Sequence, residues 1–438
     1  MKVAVYVVSH HAKQTYAIES HDVRIWPGLS VIKHALVAAG IEVGYCGIAD
    51  VHEQDVVLVS ITAGCDWWPF IAERLRWKPG RYKVIAGGAG VLNIRPFLGM
   101  ADAFVFGRAE GFVADLVREA AAGREMQHES VAWSSSFDPD RRYRIAQSCK
   151  YPHAVTLENG KPWREIVIGC QGKCLFCAYS WQREHNGITH QESTKGTSSL
   201  WGGSASEKTI LSLDMSNPQS WQGPGDSLRI IAIDGFSERL RRSVNKPITR
   251  EIFRSFLRGL ATLDKPHQIK LYNLVGLPGE TTADWRECTD DLAAVDAALR
   301  PGKQWSIVLH CTPFRAMPAT PAAHWPMSYR NYRGQIAATL KQPQHKGNIF
   351  YQGNKFWAVE GMGTDSLASH ALDAVVLRGT EADAASVKLI AASKKFASAP
   401  VAVRVATLEN YFDMPALFAE LPKGQTPTDY LRSWWHPA

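Results

Sequence analysis

Twice along this chain, short β-branched runs alternate with helical stretches, and this alternation restricts the fold more than any other feature. Residues 2–8 (KVAVYVV), 56–61 (VVLVSI), 83–86 and 103–106 read as strands buried on both faces, and residues 29–39 carry the apolar spacing of a helix closed by Gly40. The pattern predicts a parallel α/β layer over residues 1–122. A second series, with strands at 164–168, 209–213, 229–233, 270–275 and 306–309 and helices over 250–263 and 283–299, predicts a further parallel β/α repeat over residues 156–335. That repeat is long enough for a partial or full barrel. Between the two, residues 123–155, with Ser134-Ser135-Ser136 and Asp138-Pro139-Asp140, read as a surface linker. Residues 336–438, with pieces at 356–359 and 386–394, read as a small α+β C-terminal region. A length of 438 residues suits this division, at roughly 150 residues per domain.

Composition removes several classes. Apolar residues at 45% and charged residues at 21% describe a globular chain, neither disordered nor fibrous. No apolar run approaches the roughly 20 residues that span a bilayer, and the start leads straight into His10 and His11, so neither a membrane span nor a signal peptide is expected. The net charge of +7 suits an anionic cofactor; nucleic acid stays open, but no contiguous basic run supports it. Of the eight cysteines, Cys46, Cys65, Cys149, Cys288 and Cys311 are scattered, and three lie within eight residues. A secreted disulfide framework does not have that spacing, so the reducing cytoplasm is the expected location.

The clustered cysteines form Cys170-Gln171-Gly172-Lys173-Cys174-Leu175-Phe176-Cys177, directly after a predicted strand. Three thiols on one loop can face one inorganic centre. A structural zinc site is normally closed by four ligands, whereas an iron–sulfur cube held by three cysteines leaves one iron free for a substrate or cofactor. On spacing alone zinc is the alternative to iron–sulfur.

A C-x-x-x-C-x-x-C loop with an aromatic before its last cysteine, at the end of the first strand of a β/α barrel, resembles the radical S-adenosylmethionine (radical SAM) superfamily. The resemblance implies a [4Fe-4S] cluster on Cys170, Cys174 and Cys177 whose free iron chelates S-adenosylmethionine and cleaves it reductively to a 5′-deoxyadenosyl radical. It further implies that Phe176 packs on the adenine, that the Tyr179 backbone meets the adenine edge, and that an external donor such as flavodoxin or ferredoxin supplies the electron. The stretches Ile233-Asp234-Gly235-Phe236-Ser237-Glu238-Arg239-Leu240-Arg241 and Asn273-Leu274-Val275-Gly276-Leu277-Pro278-Gly279-Glu280-Thr281 resemble the same superfamily. From them Ser237, together with Ser216 after the second strand, is expected at the cofactor; for Ser237 the other reading is a helix cap.

Gly87-Gly88-Ala89-Gly90 and Gly107-Arg108-Ala109-Glu110-Gly111 follow the fourth and fifth strands of the first layer, at the edge where ligands bind in such sheets. They can also be simple tight turns. An N-terminal Rossmann-like, flavodoxin-like domain bearing these turns before such a barrel resembles the cobalamin-binding radical SAM proteins. This implies cobalamin as a further cofactor, with Gly87, Gly88 and Gly107 lining its site. The segment after the first strand, Ser9-His10-His11-Ala12-Lys13-Gln14, lacks the Asp-x-His-x-x-Gly motif of histidine-ligated cobalamin domains. Many radical members lack it too and cover the lower face of cobalamin with a bulky residue, here Trp67 or Trp68.

The expected function is therefore a cobalamin-dependent radical SAM enzyme that methylates an unactivated carbon of a small-molecule, peptide or nucleotide substrate. The alternative is a radical SAM enzyme of another reaction type with a degenerate N-terminal domain. Tyr272, His310 and Cys311, at the ends of late barrel strands, are candidates for substrate contact or proton transfer.

Overall fold

The computed structural model describes residues 1–8, 27–61, 66–74, 76–91, 94, 97–138, 140–147, 154–156, 162–168, 173–177, 186–187, 197–200, 203–205, 209–210, 228–261, 267–298, 305–315, 317, 320–326 and 357–360. The chain is mixed α/β with parallel sheets at its centre. Among the described residues no helix is long and apolar enough to cross a membrane.

The first sheet contains β1 (Val3–Tyr6), β2 (Val43–Cys46), β3 (Val56–Ser60), β4 (Lys83–Gly87), β5 (Ala103–Val105) and β6 (Val131–Trp133), in the order β2-β1-β3-β4-β5-β6. The first five are mutually parallel and β6 runs antiparallel to β5. The 2-1-3-4-5 order is that of doubly wound, flavodoxin-like sheets, with a topological switch point between β1 and β3. Side-chain alternation sorts the strands between two cores. Val3, Val5, Val56, Leu58, Ile85 and Val105 pack with α1 (Pro27–Ala38) and α3 (Val113–Ala121) through Leu36, Leu116 and Val117. Ala4, Tyr6, Val57, Val59, Val84 and Phe104 pack on the other side with Trp67 and Phe70 of α2 (Trp67–Arg74). Burial on both faces is why these strands are continuous apolar runs.

The segment expected to be a linker contributes more than a connection. β6 is buried along its whole length, Tyr143 is 1% exposed, and Ala146 bridges in parallel to Gly107. Its serines are hydrogen-bonded into the fold: Ser134 Oγ donates to the Ala101 carbonyl at 2.5 Å, and Ser135 and Ser136 both donate to Glu125, so polar residues here tie the strand down.

In the second half, β12 (Thr209–Ile210), β13 (Leu228–Ala232), β14 (His267–Val275), β15 (Trp305–Pro313) and β16 (Trp357–Glu360) form a five-stranded parallel sheet in chain order. Helices α4 (Glu238–Ser243) and α5 (Arg250–Ala261) connect β13 to β14, and α6 (Thr282–Ala298) connects β14 to β15. Sequential order with helical crossovers is the winding expected of a β/α barrel. The strand before the cysteine loop, β8 (Pro162–Ile168), pairs instead with β7 (Ala154–Thr156), β9 (Asn186–Gly187) and β10 (Thr197–Leu200), the last of which carries β11 (Gly203–Ala205). Among the described residues no ladder joins β8 to the five-stranded sheet. β16 lies beyond residue 335, so the sheet takes in part of the segment read as a separate C-terminal region. The piece expected at 386–394 lies outside the described residues.

Candidate functional site

The cysteine loop is described from Lys173 to Cys177. Cys177 N–H donates to the Cys174 carbonyl at 3.0 Å, closing a turn that carries both thiols. Cys174 is buried, Cys177 is half-buried, and both are free of disulfide bonds. Leu175 anchors the turn. Its N–H donates to the Val244 carbonyl at the end of α4, and its carbonyl accepts from Ala322 N–H, both at 3.0 Å. Its side chain is buried among Leu240, Val244, Leu277, Phe314, Ala322 and Trp325, with Phe176 and Leu274 packed against this group. Burying one leucine in such a cluster contributes roughly 1.5–3 kcal/mol. The loop is therefore held between α4, the Leu277 turn and the 3₁₀ turn Pro321–His324, three segments distant in sequence.

Cys170, Tyr179 and Ser216 lie outside the described residues. Among the described residues no group of three or more potential ligands is gathered at one point. The donor set is nonetheless suited to iron–sulfur: two soft thiols on one rigid turn, a third cysteine four positions before the first of them, and a buried cation alongside. That cation is Lys246, 8% exposed, with Nζ 2.5 Å from Asp234 Oδ2. Burial alone would push its ammonium down, but Asp234, Cys174 and Cys177 together outweigh burial and hold it above the ordinary lysine value.

The Asp234–Arg241 stretch serves largely to build this support. Ser237 takes the capping role: Leu240 N–H donates to its Oγ at 3.2 Å, and the hydroxyl donates to Asp284 Oδ1 at 2.5 Å. Arg241 has no solvent exposure; its Nε donates to the Ile248 carbonyl at 2.8 Å and its Nη1 to the Gly235 and Phe236 carbonyls at 3.0 and 3.2 Å. It pins the turn that presents Asp234.

In the second motif, the Glu280 carboxylate accepts from Gly276 N–H, Leu277 N–H and Trp285 Nε1 at 2.5, 3.1 and 2.7 Å. Burial nevertheless dominates and pushes its pKa up to about 7. Glu280 thus clips the turn that delivers Leu277 to the cysteine loop.

On β14 and β15, Tyr272 and His310 are register partners on the same half-open face, with ring centroids 4.7 Å apart and tilted by 50°. Cys311 does not join them. Alternation along the strand puts it on the opposite, fully buried face, where burial, with Glu280 and Cys288 nearby, drives its thiol far above the ordinary cysteine value. This removes Cys311 from the substrate-facing candidates.

In the N-terminal sheet, Gly87 ends β4, and Gly88 and Gly107 have φ of +106° and +85°. A Cβ at Gly88 would stand 2.4 Å from the Ile61 carbonyl oxygen, and one at Gly107 would stand 2.4 Å from that of Ala146. Protein backbone thus occupies the space these two glycines leave, which is the tight-turn reading. Trp67 is fully buried, stacked on Phe97 at 4.1 Å with its Nε1 donating to the Gly90 carbonyl at 2.8 Å. Its ring belongs to the core and does not cover a ligand at the sheet edge. Trp68 lies in α2.

Sequence reasoning missed Lys246, Asn245 and the structural use of Arg241. Asp234 and Arg241 stood inside a recognised motif, but nothing in local spacing marked a lysine in the loop after α4 as a neighbour of the cysteines.

No family model matches the chain, and no curated protein matches it. Solved structures do. The cobalamin-dependent S-adenosylmethionine radical enzyme OxsB with aqua-cobalamin and S-adenosylmethionine bound is 11% identical, with 87% of this chain and 52% of that chain covered and a TM-score of 0.30. OxsB with aqua-cobalamin bound is 11% identical, covering 91% and 57%, at a TM-score of 0.26. The apo, selenomethionine-labelled OxsB structure is 12% identical, covering 91% and 57%, at 0.30. This chain spans little more than half the length of these structures. All three of these structures are of the cobalamin-dependent S-adenosylmethionine radical enzyme OxsB.

Proposed function

We propose that this chain is a radical SAM enzyme that uses cobalamin and methylates an unactivated carbon of a small-molecule, peptide or nucleotide substrate. The observation that carries the reading is the cysteine turn, whose two described thiols are fixed by backbone hydrogen bonds to α4 and Pro321–His324 beside a buried lysine. Cys170, Cys174 and Cys177 would hold a [4Fe-4S] cluster, which when bound passes one electron from an external donor to S-adenosylmethionine and yields the 5′-deoxyadenosyl radical. Phe176, at the base of the turn, offers an aromatic surface for the adenine, with Tyr179 following it. Leu175, Leu277 and Trp325, against which Phe176 packs, close the apolar side of the turn and exclude water there. Tyr272 and His310 face the same half-open side of the sheet and would orient the substrate or move a proton at the Tyr272 hydroxyl or an imidazole nitrogen.

For the N-terminal domain, the switch point between β1 and β3 is the crevice in which such a sheet takes a ligand. A second reading keeps the radical chemistry and drops the corrinoid. What favours it is the filling of the Gly88 and Gly107 turns by Ile61 and Ala146 and the packing of Trp67 into the core. Anaerobic reconstitution followed by iron, sulfide and corrinoid analysis separates the readings. Cluster and corrinoid together support the first, cluster alone supports the second, and zinc without iron removes both.

A further inference from the structure

We propose that Lys246, held by Asp234, is a built-in counter-charge to the cysteine loop: a positioning residue that raises the reduction potential of the cluster bound there. The inference rests on the iron–sulfur reading of Cys170, Cys174 and Cys177. Three independent features point to it.

The first is docking geometry. Residues on either side of Cys174 are tied to the residues just before Lys246: Leu175 N–H donates to the Val244 carbonyl at 3.0 Å, and Asn245 Nδ2 donates to the Lys173 carbonyl at 2.9 Å. Lys246 N–H in turn donates to the Arg241 carbonyl at 2.7 Å. These bonds fix the Lys246 backbone beside the loop, and its Nζ is held on Asp234.

The second is backbone strain. Among the described residues, the non-glycine residues with left-handed backbone are Lys173, Asp234 and Asn245, at φ of 47°, 50° and 53°. One precedes Cys174, one is the partner of Lys246, and one precedes Lys246. At Asn245 the left-handed backbone belongs to the cap that ends α4, where Asn245 N–H donates to the Arg242 carbonyl at 2.9 Å and Lys246 N–H to that of Arg241 at 2.7 Å; at Lys173 and Asp234 no helix end calls for it, and such conformations persist where the surroundings enforce them.

The third is the energetics of burial. A buried ion pair is a poor device for stability, since an apolar pair of the same size is often as good or better. A cation kept in a low-dielectric pocket acts strongly on charge that appears nearby. Reduction of the cluster by a low-potential one-electron donor adds one negative charge at the thiolates and iron, with no bond made or broken, and Lys246 favours that state. Asp234 offsets part of the effect.

The test is a redox titration of the anaerobically reconstituted full chain, followed by electron paramagnetic resonance, on wild type, Lys246→Met, Lys246→Arg and Asp234→Asn. Poised at the wild-type midpoint, Lys246→Met should show a reduced-to-oxidised ratio about tenfold lower, equivalent to 59 mV for a one-electron couple. Lys246→Arg should stay near wild type, and Asp234→Asn should move the opposite way, to a higher potential. A purely structural ion pair would move both disrupting variants together or neither; either result, at wild-type iron and sulfide content, overturns the proposal. If Lys246→Met fails to take up a cluster, Asp234→Asn decides alone: a potential equal to or below that of wild type refutes the inference. A wild type that binds no iron removes the cluster reading and this inference with it, whereas a loaded wild type with unresponsive variants removes only the inference.

Discussion

Glu280 should make the stability of this protein fall as pH rises through the weakly acidic range. The carboxyl is pushed from its ordinary 4.5 up to about 7 by burial, in spite of the three hydrogen bonds it accepts. In the unfolded chain it loses its proton near 4.5, and in the folded chain only near 7, so across that window the native state binds the extra proton and stability declines with rising pH. The full displacement corresponds to about 3 kcal/mol, and the side chain's partial exposure brings the expected figure to about 2–3 kcal/mol. Glu280→Gln has no proton to lose. Urea unfolding of both proteins at a series of pH values should give a stability difference that changes by that amount across the window. Because Glu280 clips the turn carrying Leu277 against Leu175, the protection factor of the Leu175 amide, corrected for the intrinsic pH dependence of exchange, should fall across the same window in wild type and not in Glu280→Gln. Parallel pH profiles for the two proteins would show that the buried carboxylate carries no net penalty and that Glu280 does not set this pH dependence.

Other outcomes follow from the same geometry. Trp67→Ala, which empties a fully buried ring site stacked on Phe97, should lower unfolding stability by about 3–5 kcal/mol in urea titration. Gly88→Ala and Gly107→Ala should each cost more than about 1 kcal/mol, since a Cβ would meet a carbonyl oxygen at 2.4 Å at a positive φ; wild-type urea midpoints would count against this. Tyr272→Phe and His310→Ala should depress substrate conversion at least tenfold while 5′-deoxyadenosine still forms, an uncoupling read by chromatography of both products. Cys311→Ala, on the buried face, should shift stability by about 1–2 kcal/mol and leave the rate of 5′-deoxyadenosine formation unchanged.

The sheets were legible because burial on both faces writes itself as continuous apolar runs: β1, β3, β4 and β5 fall where the runs of valine, isoleucine and phenylalanine predict them. β6 was hidden because three residues cannot establish a period and serines surround them, serines that serve the sheet as hydrogen-bond donors. The cysteine loop declared itself through spacing, but its support did not. Val244, Asn245 and Lys246 reach Lys173, Leu175 and the thiols across some 70 residues, and no local pattern encodes such a contact. The glycine turns illustrate a different limit. A glycine signals close approach, and only the fold reveals whether backbone or ligand makes it; at Gly88 and Gly107 it is backbone. Cys311 shows the one-residue sensitivity of a strand, since its neighbour His310 faces the half-open side and Cys311 the buried one.

As proposed above, the cysteine turn would carry a cluster able to cleave S-adenosylmethionine. The most direct test is the yield of 5′-deoxyadenosine when anaerobically reconstituted protein is reduced in the presence of S-adenosylmethionine. That product is expected together with roughly four irons and four sulfides per chain, both abolished in Cys170→Ala, Cys174→Ala and Cys177→Ala. A reconstituted protein that gives no 5′-deoxyadenosine, and whose metal content is the same when those three cysteines are replaced, would contradict it.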